Sequence, residues 1–208
     1  MSDPHRHANR REQMTPQARF VLWASAVALP AALWAADSGA AREIDMQKSV
    51  LSVRVFKSGL FSAFGHEHEI SAPIESGSFN ESRPSAELTV DARKMRVMDK
   101  DVSEKDRAEI QETMLGPKVL DAGRFPEIRF RSTAVEPASA GRWTVRGDLT
   151  LHGQTHPVRL DVQSQNGHFK GAAPLKQRDF GIEPVSVGGG AVKVKDELRV
   201  EFDIVAKP

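Results

Sequence analysis

The feature that most constrains the fold is an alternation of apolar and polar residues in steps of two, which is longest between residues 125 and 158. The segments 127–131 and 143–151 both alternate in this way. A period of two is that of a β-strand with one buried and one solvated face. The two segments, joined through residues 137–141, therefore predict an antiparallel hairpin, and residues 152–155 predict the turn into a third strand.

Alternation of the same kind recurs along the rest of the chain, interrupted by one predicted helix. Ser103 has the character of an N-cap, with Asp106 at the third helical position, and Gly116 supplies a stop. The preceding Asp99-Lys100-Asp101 is interpreted as a solvated lead-in to this helix. Antiparallel strands with one apolar face must close over that face as a sandwich or a barrel, and spacing alone leaves both open.

The composition excludes several classes of function. The 208 residues leave room for one domain of moderate size and a leader. The formal net charge is +1, and the Lys and Arg residues are spread among Asp and Glu, so nucleic acid is not expected as a partner. The chain has no cysteine, which excludes disulfides, thiol catalysis and thiolate metal sites.

The N-terminal segment 1–40 has the pattern of a signal peptide. Arginines lie within residues 1–19, the uncharged apolar run 20–36 follows, and small residues come next at Ser38-Gly39-Ala40. We therefore expect cleavage near Ala40 and a periplasmic or secreted mature domain over 41–208. The alternative is an uncleaved segment that anchors the domain to the membrane, although the run is near the lower limit for spanning a bilayer.

Five separated groups of residues occur together in the order typical of one known family. They are Phe125-Pro126 with Ile128, Phe130, Ser132 and Thr133; Gly147, Leu149, Thr150, His152, Gly153, Thr155, Pro157 and Val158; Gly77 and Phe79; Asp106-Arg107; and Asp179-Phe180-Gly181. On these residues the chain, over about 42–207, resembles the YceI-like family of polyisoprenoid-binding, lipocalin-like barrel proteins.

The resemblance implies an all-β fold with one or two short helices, namely an eight-stranded antiparallel lipocalin-like barrel around a long apolar tunnel. It also implies an isoprenoid ligand, such as a quinone or polyprenyl tail, and burying each CH₂ group of such a tail contributes roughly 0.8 kcal/mol. The predicted lipid-binding residues that line the tunnel are Val53, Val55, Phe79, Leu88, Ile128, Phe130, Trp143, Val145, Leu149, Leu160, Phe180, Val200 and Phe202.

One segment departs from the family pattern and supports an alternative. His66 and His68 are separated by one residue, so in an extended strand both imidazoles point to one side. Such a pair can offer two nitrogens to a transition metal, with His152 or His156 as a third ligand if the fold brings it near. The other interpretation of these histidines is structural, and for His152 it is a hydrogen bond that stabilises a turn.

No catalytic constellation accompanies these motifs, since the sequence has neither a Gly-x-Ser-x-Gly elbow nor a phosphate-cradling glycine loop. We therefore expect a binding protein rather than an enzyme, which holds an isoprenoid lipid for transport, storage or stress protection and requires no cofactor. A transition metal belongs only to the alternative centred on the histidine pair. The sequence leaves open which isoprenoid is bound, whether the protein forms a homodimer, and whether it contacts the membrane transiently.

Overall fold

The computed structural model describes residues 41–58, 67–187 and 192–207, all within one unit, Asp37–Pro208. The predicted leader 1–40 lies outside the described residues and stays a prediction. The strands are β1 (Arg42–Glu43), β2 (Val50–Ser58), β3 (His68–Ser71), β4 (Ile74–Asn80), β5 (Ser85–Asp91), β6 (Arg96–Val97), β7 (Glu127–Ser139), β8 (Arg142–Leu151), β9 (Gln154–Gln165), β10 (His168–Lys176), β11 (Ser186–Val187) and β12 (Val192–Val205), and the helices are α1 (Glu104–Leu115) and the short 3₁₀ helices Ala92–Lys94 and Gln177–Phe180.

Eleven of these strands follow one another along a single curled antiparallel path, which forms a half-barrel. The order is β1-β4-β5-β7-β8-β9-β10-β12-β2-β3-β6, and β11 pairs with β12 beside this path. An isolated bridge joins Ile44, just after β1, to Ala206, just after β12. Next to it the Asp45 N–H donates to the Val205 carbonyl at 2.8 Å, so the edge of the sheet at β1 contacts β12, an inner strand of the path.

The predicted hairpins are present, with tighter connections than expected. Both residues between β8 and β9 have positive φ, 52° at His152 and 73° at Gly153, as a type I′ turn requires. The turn therefore occupies two residues rather than the predicted 152–155, and β9 begins at Gln154. Along β9 the exposed and half-buried residues alternate, which places one face of the strand outward and the other toward the interior.

The connection between β7 and β8 differs from the predicted 137–141. Pro137 lies within β7, opposite Trp143, and only Ala140 and Gly141 connect the two strands. The ladder is irregular between Pro137 and Ser139. A bulge tolerates proline because the missing N–H need not serve a regular ladder position.

The predicted count of eight strands is not confirmed, because the path has eleven strands, some of them short. Pro73 lies between β3 and β4, and the 3₁₀ helix Ala92–Lys94 lies between β5 and β6. A turn divides β1 from β2, and in it the Ser49 N–H donates to the Asp45 carbonyl at 2.9 Å. Each interruption bends the chain without moving the next strand to another sheet.

The helix α1 covers part of the interior. It begins after Ser103, whose hydroxyl accepts a hydrogen bond from the Asp106 N–H at 3.1 Å. Met114 is buried in a core cluster that also contains Val90 and Phe180. None of the helices among the described residues combines the length and the hydropathy needed to cross a membrane.

Candidate functional site

The interior of the half-barrel is hollow. A cavity of about 680 Å³ is lined by β2–β5, β7–β10 and β12, with α1 along one wall. Small-molecule sites typically measure about 300–1,000 Å³, so the volume suits a ligand. Inward apolar side chains such as Leu51, Val53 and Leu149 are only partly buried, because they face this space as well as their neighbours.

All of the residues predicted to line the tunnel lie on the wall of this cavity. Val53 of β2 and Val200 of β12 are partners in the ladder, so their side chains share the inner face. Phe180 differs from the strand residues because it belongs to a 3₁₀ helix and is 1% exposed. That these residues contact a lipid stays a prediction.

The wall also contains residues that sequence reasoning did not assign to it, among them Leu51, Met95, Ile110, Met114 and Leu120. Leu51 alternates with Val53, so the same period could have identified it. Ile110 and Met114 form the apolar stripe of α1, which predicts packing against a sheet but not contact with an empty space. Met95 and Leu120 lie outside the regular strands, where no period marks an inward side chain.

Aromatic rings lie close against the inner wall because glycines leave room for them. A Cβ atom at Gly147 would lie 2.5 Å from the Phe130 ring, and one at Gly171 would lie 2.5 Å from the Phe202 ring. Such contacts shield the glycine backbone and hold the ring near the sheet. The centre of the interior therefore stays open although large side chains surround it.

A buried ionisable pair lies at one part of this wall. The His68 Nδ1 and the Asp99 Oδ2 are 2.6 Å apart, and the other Asp99 oxygen accepts the Glu69 N–H at 2.8 Å. The Asp99 side chain is 3% exposed and the His68 side chain 21%. The interpretation of Asp99 as part of a solvated lead-in is therefore wrong, because β3 covers it, whereas Lys100 and Asp101 are exposed.

His152 has a structural partner in the turn after β8. Its Nδ1–H donates to the Phe180 carbonyl at 3.1 Å, and its ring contacts Phe125 edge to face with centroids 4.9 Å apart. This geometry fits the expected role in stabilising a turn. His66 lies outside the described residues, and within the part of the chain that the structure describes no three His, Cys, Asp or Glu side chains form a group that could hold a metal.

Comparisons with known proteins agree with this architecture. The family model of the YceI-like domain matches residues 43–206. A UPF0312 protein of Vibrio cholerae serotype O1 is 28% identical over 193 residues, which cover 86% of this chain and 93% of that protein. A UPF0312 protein of Vibrio parahaemolyticus is 29% identical over the same shares of the two chains. The crystal structure of Burkholderia cenocepacia BcnA matches with a TM-score of 0.58 at 25% identity, over 79% of this chain and 99% of that one. With a matching family model over most of its length and a matching fold, the chain belongs to the YceI-like family.

Proposed function

We propose that this protein binds an isoprenoid lipid and holds its tail in the interior cavity. The observation that carries the proposal is the cavity itself, about 680 Å³ in volume and lined mainly by apolar side chains. An isoprenoid tail has no hydrogen-bonding groups, so it can contact such a wall without losing hydrogen bonds to water. Quinone tails and polyprenyl chains share this chemistry.

The length of the tail decides whether binding is tight. Each five-carbon unit contributes roughly 3 kcal/mol when it is buried, before ordering costs. Association and the loss of chain freedom cost about 4–15 kcal/mol. A tail of several units is therefore needed, and a single short prenyl group binds weakly.

The divided strands are consistent with an eight-stranded lipocalin-like barrel as the working form of the fold. β1 pairs with β4 while β2 pairs with β3, so β1 and β2 together act as one bent strand, and β3 and β4 together act as its neighbour. Counting β5 with β6 in the same way leaves β7, β8, β9, β10 and β12 as the other members. Barrels of this size hold one small ligand.

We propose that the protein binds its lipid outside the cytoplasm. Segment 1–40 directs export, and cleavage near Ala40 releases the domain into the periplasm or the medium. There an apolar interior protects a lipid from water during transport or storage. The same domain held by an uncleaved segment would instead serve lipids at the membrane that anchors it.

A native mass spectrum of the full protein, purified from its own host without detergent or chelator, tests the proposal. We expect an added mass of several hundred daltons that is lost on organic extraction and that fragments in isoprene steps. The mass of the chain itself fixes the mature N-terminus in the same measurement.

The alternative outcomes of this spectrum are distinct. A bare chain that also fails to take up an added polyprenyl hydrocarbon contradicts lipid binding. An added mass of one transition-metal ion that disappears in His66→Ala favours the metal alternative, for which the described residues offer no group of ligands.

A further inference from the structure

The inner wall carries one imidazole that the tail does not need. His68 is opposite Val55 in the β2–β3 ladder, and Val53 is opposite Ile70, so His68 shares the inner face with these apolar residues. It lines the same cavity. A buried ionisable pair is costly compared with apolar residues of similar volume, so a cavity that takes only hydrocarbon has no use for it.

Asp99, the partner of His68, determines which nitrogen of the ring is left for a ligand. Asp99 accepts from the Glu69 N–H with one oxygen and lies 2.6 Å from His68 Nδ1 with the other. Because a carboxylate can only accept, Nδ1 carries a proton and Nε2 is the nitrogen left for another group. Within the described residues the His68 ring makes no other hydrogen bond, and the side chain is 21% exposed, so a ligand can reach it.

The protonation state of the ring decides which groups can bind to Nε2. A neutral ring with its proton on Nδ1 accepts a hydrogen bond at Nε2, whereas a charged ring donates one. A hydroxyl group satisfies both states, because it donates to the first and accepts from the second. A quinone carbonyl satisfies only the charged ring, and a hydrocarbon satisfies neither.

The other charges on the wall disfavour a diphosphate end group. Among the described residues the cavity is lined by the lysines Lys57 and Lys176 and by no arginine. Diphosphate recognition relies on clustered cationic donors, arginine above all. The carboxylates on the same wall outnumber the lysines and are Glu81, Glu87, Asp106 and Glu109.

From this geometry we propose that the His68–Asp99 pair binds the polar end of the lipid and selects an isoprenoid that ends in a hydroxyl group, either a polyprenol or a reduced quinone. The inference rests on the proposed function, since it names the end of the molecule whose tail fills the cavity. It assigns Asp99 as a positioning residue and His68 as the contact.

Binding of four ligands with equal numbers of isoprene units tests this inference: a polyprenol, the corresponding hydrocarbon, a quinone and its quinol. For the wild-type protein we expect the polyprenol to bind about threefold to tenfold more tightly than the hydrocarbon, which is the effect of one net hydrogen bond. His68→Phe keeps the ring volume and is expected to abolish this preference while hydrocarbon affinity is retained.

Asp99→Asn provides a second variant that preserves shape. The new amide can still accept from the Glu69 N–H, but its NH₂ group donates to His68 Nδ1 and moves the ring proton to Nε2. Binding is then expected to shift from the quinol toward the quinone, and ¹⁵N spectra of the imidazole report the change of tautomer directly. If the His68–Asp99 pair only stabilised the fold, the preference between quinol and quinone would not change.

The chain offers a matched control. His168 and Asp203 form a similar pair, 2.7 Å apart, but His168 is 43% exposed and does not line the cavity. His168→Phe should leave every ligand preference unchanged.

Equal affinities of the wild type for alcohol and hydrocarbon, or an alcohol preference that survives His68→Phe, would overturn the inference. Failure of the hydrocarbon itself to bind instead contradicts the proposed function.

Discussion

At the scale of single residues, Asp91 is a buried carboxylate whose lowered pKa is due mainly to Arg93. It ends β5 and accepts hydrogen bonds from the Arg93 N–H at 3.0 Å and from the Arg93 Nε and Nη2 at 2.8 Å each. These interactions lower the pKa of Asp91 to about 2, although burial opposes the shift. The folded protein therefore resists protonation of this group more than the unfolded chain does.

The lowered pKa predicts a contribution to stability that depends on pH. Asp91 stabilises the folded state above its ordinary pKa of 3.8, and the contribution is lost as the pH falls from there toward 2. We expect Asp91→Asn to reduce the free energy of unfolding at pH 7 and to make its decline between these two pH values shallower. Urea unfolding at a series of pH values measures both effects.

Asp161→Asn serves as the control for this titration. Asp161 also pairs with an arginine two residues away, but its side chain is 75% exposed, and exposed pairs contribute little. An Asp91→Asn protein with the same acid profile as the wild type would show that Arg93 does not keep Asp91 ionised in the folded protein at acid pH.

Residues that act within their own turn can be identified from the sequence, whereas residues whose partners are distant in the sequence cannot. His152 is recognisable from the turn that contains it, because Gly153 follows and the alternation stops there. Asp99 is not recognisable, since its partner His68 is 31 positions away and nothing in the surrounding residues signals a strand that covers it. The pair becomes visible only when β3 and the segment before α1 are placed side by side.

At the scale of elements, the strand type of the long segments was predictable, and the number of short strands was not. Alternation identifies strands such as β7, β8 and β12 because each keeps one face inward over many residues. The divisions around Pro73 and at Ala92–Lys94 depend on how the sheet must bend to enclose its interior. A local pattern of apolar residues does not show that curvature, so it does not fix the number of strands.

The cap of α1 gives a prediction at this scale. Ser103 accepts from the Asp106 N–H and its hydroxyl donates to the Asp106 carboxylate at 2.8 Å, which satisfies groups that the first turn leaves free. Ser103→Ala is expected to lower the free energy of unfolding by about 1 kcal/mol, with faster amide exchange in residues 104–107. Urea unfolding and hydrogen exchange provide the two measurements.

Ser103→Thr is the matched control, because threonine keeps the hydroxyl and should cost much less than alanine. Since Ser103 is exposed, lost packing cannot account for the difference. Equal stabilities of the alanine and threonine variants would mean that the hydroxyl does not cap α1.

At the scale of the whole molecule, the decisive property is that the interior is hollow. The alternation predicts which side chains point inward, but not whether these side chains contact one another across the interior. That depends on the curvature of the sheet and on side chains such as Phe130 and Phe202, which lie against glycines rather than across the interior. The family resemblance supplied the expectation of a tunnel, and the residues alone were equally compatible with a packed core.

Filling the hollow separates ligand binding from folding. Val53 and Val200 are partners across β2 and β12, and both face the cavity. Val53→Phe combined with Val200→Phe should place two rings in empty space, which weakens lipid binding while the free energy of unfolding rises by about 0.5–2 kcal/mol. Binding of a polyprenyl hydrocarbon and urea unfolding of the lipid-free protein are measured on the same preparation.

The combination Val53→Ile and Val200→Ile adds only one methylene at each position, and it is expected to retain binding. In a packed core the phenylalanine variant would be strongly destabilised, because overfilling forces side chains out of their rotamers. A loss of stability in the lipid-free phenylalanine variant would therefore argue that the interior closes when no lipid is present. Unchanged lipid binding would place the ligand elsewhere on the protein, since a tail cannot share a space that two rings already occupy.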